Sequence, residues 1–86
     1  MDTVILKFGG SSVANDERLN LVAQRIMEFY QENKRIVVVV SAQGRTTDNL
    51  IKEAYNLSKN PDKREMDVLL SVGEQITMAK LAILLI

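Results

Sequence analysis

The sequence predicts an α/β fold with parallel strands, in the element order β-α-β-α-α. Three observations carry that expectation. Two short, β-rich apolar runs, Thr3-Val4-Ile5-Leu6-Lys7-Phe8 and Ile36-Val37-Val38-Val39-Val40, flank a segment with helical periodicity. A connection of that length joins parallel neighbours by a right-handed crossover. Each run also ends in a polar loop, Gly9-Gly10-Ser11-Ser12 after the first and Ser41-Ala42-Gln43-Gly44-Arg45-Thr46-Thr47 after the second. In a parallel sheet both loops open on one edge, the edge at which open α/β folds bind ligands.

Taken in order, residues 3–8 form the first strand and run into a conformationally permissive turn. Asn15 is the expected N-cap of the first helix, with Asp16 and Glu17 placed to favour the positive end of its dipole. Leu19, Val22, Ile26 and Phe29 make one apolar stripe, and Asn33 is the expected stop. The β-branched residues 36–40 show no alternation, which predicts a strand covered on both faces. Thr47 or Asp48 is expected to cap a second helix carrying Leu50, Ile51, Ala54 and Leu57. Lys59-Asn60-Pro61 breaks it. Asp62, three residues ahead of Glu65, resembles a capping box and starts a third helix that continues to the end of the chain. The second half of that helix is apolar nearly all round, which predicts a place inside a larger body. The methionines read as core filler.

Composition narrows the function. The chain has 86 residues, enough for one small domain, and eleven Lys+Arg balance eleven Asp+Glu. A net charge of zero argues against coating nucleic acid or an anionic membrane. With no cysteine, a disulfide scaffold, a zinc finger and a thiol nucleophile are excluded. With no histidine, so are imidazole base chemistry and His-ligated metals. Asp2 and Lys7 interrupt the first apolar run, so no signal peptide is read and a cytoplasmic chain is expected. The chain stops in Leu81-Ala82-Ile83-Leu84-Leu85-Ile86, with no cap, Gly or charge after it. This predicts that residues 1–86 are a fragment truncated at the C-terminus; the other reading is a true terminus docked into a core or a partner.

Three places could carry chemistry. Around Gly9 and Gly10, backbone N–H groups can approach an oxyanion without a Cβ in the way, Lys7 can set an ammonium beside phosphate oxygens, and Ser11 and Ser12 add hydroxyls. The order is neither that of a Walker loop nor G-x-G-x-x-G, and a plain strand–turn–helix explains it equally well. Ser41 ends the second strand, and Gly44, Arg45, Thr46 and Thr47 could bind an anion, or Thr47 could simply cap a helix. Gly73 in a helix interior costs ~1 kcal/mol against Ala, which a close approach would explain. Glu74 beside it flanks the stripe of Leu70, Thr77 and Leu81, and is either an ordinary boundary carboxylate or a partner for a substrate amino group.

Together these stretches resemble the aspartate kinases of the amino-acid kinase family. Val4-Ile5-Leu6-Lys7-Phe8-Gly9-Gly10-Ser11-Ser12-Val13 is similar to their opening strand and phosphate loop. Residues 38–50 resemble their second strand and substrate loop, and residues 64–75 their third helix. Ser11 stands where many members have Thr, and Gln43 and Arg45 where Met and Lys are commoner. The resemblance implies the N-terminal part of an amino-acid kinase α/β/α sandwich, and ATP-dependent phosphorylation of the L-aspartate side-chain carboxylate to 4-phospho-L-aspartate, a step toward lysine, threonine and methionine. It implies that Lys7, the expected catalytic residue, contacts the ATP phosphates with Gly9, Gly10 and Ser41, and that Ser11 lies between the two ligands. Thr47 and Glu74 would hold aspartate, Glu74 receiving its ammonium group. Mg²⁺ would arrive on the nucleotide, with no metal site on the chain. The aspartate carboxylate is already ionised at neutral pH, so a histidine-free site is no obstacle. The resemblance also implies that the isolated chain lacks the nucleobase pocket and is inactive alone, and that its parent is a homo-oligomer. Competing readings are an amino-acid kinase acting on N-acetylglutamate, glutamate or UMP, and a non-catalytic module that self-associates or binds a complementary chain through its apolar C-terminal helix.

Overall fold

The structure, a computed structural model, describes residues 2–86. Its elements are β1 (Thr3–Phe8), α1 (Asp16–Gln31), β2 (Arg35–Val40), α2 (Thr46–Leu57) and α3 (Lys63–Leu85), with a 3-10 turn at Gly10–Val13 between β1 and α1. The two strands pair in parallel, in register from Thr3 opposite Arg35 to Phe8 opposite Val40. The α/β architecture with parallel strands is as the sequence predicts.

Local chemistry sets the boundaries. Asn15 Oδ1 accepts the Arg18 N–H at 2.9 Å, starting α1. Asn33 ends it in the left-handed region at φ 60°, a conformation a short amide side chain tolerates. Asp62 Oδ2 accepts the Glu65 N–H at 3.1 Å and starts α3. Helix α2 differs from expectation. It begins at Thr46, with Arg45 in the capping position and no side-chain cap, so Thr47 and Asp48 lie within its first turn. The main chain substitutes for the missing cap, since the Thr46 N–H donates to the Gln43 carbonyl at 2.9 Å.

Helices α1 and α3 share one face of the sheet. Leu19, Val22, Ala23 and Ile26 of α1 meet Leu81 of α3 and Val13 of the turn, with Leu6, Phe8, Ile36, Val38 and Val40 beneath them. Burying each large aliphatic side chain of this set contributes ~1.5–3 kcal/mol. Helix α2 packs on α3 rather than on the sheet. The second sheet face is therefore open, with Ile5 at 70% exposure and Val37 and Val39 also exposed, so only one face of β2 is covered within this chain. Leu57 of α2, Met27 and Met78 are exposed as well and are not core filler; Met1 lies outside the described residues.

The radius of gyration is 15.3 Å, against ~12 Å for a compact domain of this length. Much of the excess comes from α3, whose 23 residues span ~34 Å and show Val68, Val72, Ile76, Ile83 and Leu84 to solvent. By length and apolar composition α3 would also suffice to cross a bilayer. Within this chain three of its residues, Gly73, Thr77 and Leu81, are buried, on the side that meets the rest of the α/β body.

Candidate functional site

The parallel register places the two polar loops side by side. The Ser41 N–H donates to the Phe8 carbonyl at 3.2 Å and carries the ladder one step past β2. The Gly44 N–H then donates to the Gly10 carbonyl at 2.9 Å, joining one loop to the other. The turn after β1 closes on itself through the Ser12 N–H and the Gly9 carbonyl, 3.1 Å apart, and Val13 anchors it by complete burial in the core.

Close packing explains two glycines. A Cβ on Gly10 would lie 3.0 Å from the Ala42 carbonyl oxygen and 3.3 Å from that of Gly44, both backbone atoms that cannot turn aside. A Cβ on Gly73 would lie 2.9 Å from Ala42 Cβ and 3.2 Å from Thr46 Cγ2, so α3 presses on the second loop and the start of α2 there. A close approach is what the sequence required to justify a mid-helix glycine. Gly9 differs, because a Cβ there would meet nothing within 4 Å. Space beside its backbone is open.

The expected site residues fall as follows. Lys7 is exposed on the open sheet face with Ile5, opposite Val39, and makes no ion pair or hydrogen bond among the described residues. Strand alternation puts Ser41, two residues past Val39, toward the same face. Gly9 and Ser11 are exposed, and Gly10 and Ser41 half-buried, at the carboxyl edge of the sheet. Thr47 is half-buried in the first turn of α2. Glu74 is exposed one residue past the Gly73 contact, so its helix is held against the second loop. Among the described residues no three acidic side chains converge on a point that could hold a metal.

Two residues at this edge carried no functional expectation. The Gln43 side chain donates from Nε2 to the Val13 carbonyl at 2.8 Å, and its Oε1 accepts from Lys80 Nζ at 2.9 Å. The signal was present for Lys80, the one charged residue after Glu74 in an otherwise apolar stretch. An open hollow of about 880 Å³ lies elsewhere, between the C-terminal ends of α1 and α3 and the start of β2. Its apolar wall is Ile26, Ile36, Val38 and Leu85, and Lys34 and Arg35 stand at its margin.

The Amino acid kinase family profile matches residues 2–85. An aspartokinase of Geobacillus stearothermophilus is 51% identical over 82 residues, covering 95% of this chain and 20% of that protein. Aspartokinase 2 of Bacillus subtilis is 44% identical over 85 residues, covering 99% of this chain and 21% of that protein. The crystal structure of aspartate kinase from Synechocystis superposes with a TM-score of 0.94 at 49% identity, covering 96% of this chain and 14% of that one. The chain thus spans about a fifth of the length of the curated relatives it matches.

Proposed function

The chain belongs to the amino acid kinase family, and from that premise we propose that it forms the N-terminal part of an aspartate kinase domain, the part that holds phosphate and amino acid together. The observation that carries the reading is the direct junction of the two loops, Gly44 N–H to Gly10 carbonyl, at the carboxyl edge of a parallel sheet. Relatives named aspartokinases, identical at about half of the aligned positions, support aspartate over other acceptors.

In this reading ATP is the phosphoryl donor and L-aspartate the acceptor. One aspartate side-chain oxygen forms a bond to the γ-phosphorus as the β,γ-bridging bond breaks, giving an acyl phosphate and ADP. The acceptor is ionised at neutral pH, so no base has to remove a proton. The work left to the protein is positioning and charge stabilisation. Lys7 offers an ammonium that no carboxylate of the described residues neutralises. The open space at Gly9 admits phosphate oxygens close to the backbone, and Ser41 adds a hydroxyl from the neighbouring strand. Ser11, at the seam of the two loops, can serve either ligand. Thr47 and Glu74 hold aspartate, Glu74 pairing with its ammonium group. Mg²⁺ arriving with the nucleotide supplies further charge neutralisation; this chain needs to provide no ligand set for it. The product would enter lysine, threonine and methionine biosynthesis in the cytoplasm.

The test is ADP release, with hydroxamate trapping of acyl phosphates, by the full reading frame that contains this segment, supplied with ATP, Mg²⁺ and one acceptor at a time. Aspartyl hydroxamate should form, and N-acetylglutamate, glutamate and UMP should not be phosphorylated. A Glu74→Gln variant should raise the KM for aspartate at least tenfold with little change in that for ATP. Preference for another acceptor overturns the assignment. The 86-residue chain alone should form no hydroxamate.

The exposed apolar side of α3 supports a second element of the proposal, an assembly surface for the remainder of a kinase domain or for a complementary chain. Light scattering tests it: changing Val72 and Ile76 to Ser should lower the self-association of the isolated chain.

A further inference from the structure

We propose that Lys80 is a positioning residue, which acts through Gln43 to hold the loop after β2 against the turn after β1. Its functional meaning rests on the phosphate-and-aspartate reading of those loops; its geometry does not.

The Gln43 side chain has two ends, and both are used. Its Oε1 faces Lys80 Nζ at 2.9 Å, and its Nε2 faces the Val13 carbonyl at 2.8 Å. The cation dictates this orientation. An ammonium has donors only, so the amide must turn its oxygen toward Lys80, which leaves its NH₂ for Val13. Val13 is fully buried and closes the 3-10 turn that begins at Gly10, so the bond is fastened to a rigid point. One residue on, the Gly44 N–H bonds the Gly10 carbonyl. The second loop is therefore tied to the first at both ends of the turn, once by backbone and once by side chain. Lys80 also lies on α3, less than two turns beyond Glu74. The tie thus links the three elements that carry the candidate phosphate and aspartate residues. Lys80 is exposed, yet its ammonium reaches a loop 37 residues away in the sequence.

The experiment is amide hydrogen exchange and ¹⁵N NMR on the full reading frame that contains this segment, comparing the natural sequence with Lys80→Met, Lys80→Arg, Gln43→Met and the double variant Gln43→Met/Lys80→Met. Readouts are the Gln43 side-chain NH₂ resonance and hydrogen exchange at the Gly44 amide, with the buried Ile26 amide as control. Lys80→Met should shift the Gln43 resonance and speed exchange at Gly44 about fivefold, as expected for loss of one partly exposed hydrogen bond. Lys80→Arg should restore both. Gln43→Met, which also removes the Val13 bond, should speed exchange at Gly44 at least as much as Lys80→Met, and the double variant should add nothing to Gln43→Met. Unchanged exchange at Gly44 in Lys80→Met overturns the proposal. So does an equal rise at Ile26, which would make Lys80 a contributor to general stability. ATP titration of the same samples separates the two ideas: absence of ATP-dependent shifts at Gly9 and Gly10 refutes the phosphate site, while the exchange data still decide the role of Lys80.

Discussion

Replacing Gly73 by Ala sets two magnitudes against each other. In an unconstrained helix interior the change stabilises by ~1 kcal/mol. Here the new methyl would sit 2.9 Å from Ala42 Cβ and 3.2 Å from Thr46 Cγ2, where ordinary carbon contacts need ~3.5–4.0 Å. Relief takes a shift of roughly 0.6–1 Å. Ala42 is buried and its Cβ is fixed to the loop backbone, so the loop or the helix must move. Overpacking of this kind costs ~1–3 kcal/mol. The difference leaves a destabilisation of about 1 kcal/mol, with a range of ~0–2. With a urea slope of ~1 kcal/mol per molar for so small a chain, the unfolding midpoint should fall by about 1 M. Adding Ala42→Gly removes the opposing methyl and should recover most of the loss. A Gly73→Ala chain stabilised by the full helix-propensity gain would refute the claim that α3 and the second loop are in contact at this point.

Gly10→Ala should lower ATP affinity at least tenfold and speed Gly44 amide exchange, because its Cβ meets backbone oxygens at 3.0 and 3.3 Å. Gly9→Ala meets nothing within the chain, so loss of ATP binding in calorimetry without loss of stability would report the ligand itself. Lys7→Met should leave the urea midpoint within the ~0.5 kcal/mol typical of exposed sites while ATP binding falls below detection. Asn33→Val, forced to hold φ near 60°, should cost ~1–2 kcal/mol by urea denaturation, and Asn33→Gly should cost nothing.

The local features were legible because they are written in adjacent residues. The strand over residues 3–8, the stripe of Leu19, Val22 and Ile26, and the caps at Asn15 and Asp62 each follow from spacing or from one side chain's reach. Asn33 was legible as a stop because few other residues accept its backbone angle. What periodicity cannot say is what covers an apolar face. Residues 36–40 read as covered on both sides, yet Val37 and Val39 are exposed, since helices lie on only one face of the sheet. Leu57 failed for the same reason. Helix α2 starts two residues earlier than a cap at Thr47 implies, because a main-chain bond from Thr46 replaces a side-chain cap. At the candidate site, the Gly-Gly turn and the Ser41 loop were visible as motifs. The Gln43–Lys80 tie was not, because no local pattern joins residues 37 positions apart.

A sheet of only two strands leaves each with one row of amide and carbonyl groups unpaired, and here the uncovered face between those margins is lined by Ile5, Val37 and Val39. Such a ribbon is a template for further strands. Uncovered, these margins are a second route by which copies of the chain can associate. Charged substitutions at Ile5 or Val39 would be the economical way to keep it in solution for the measurements above.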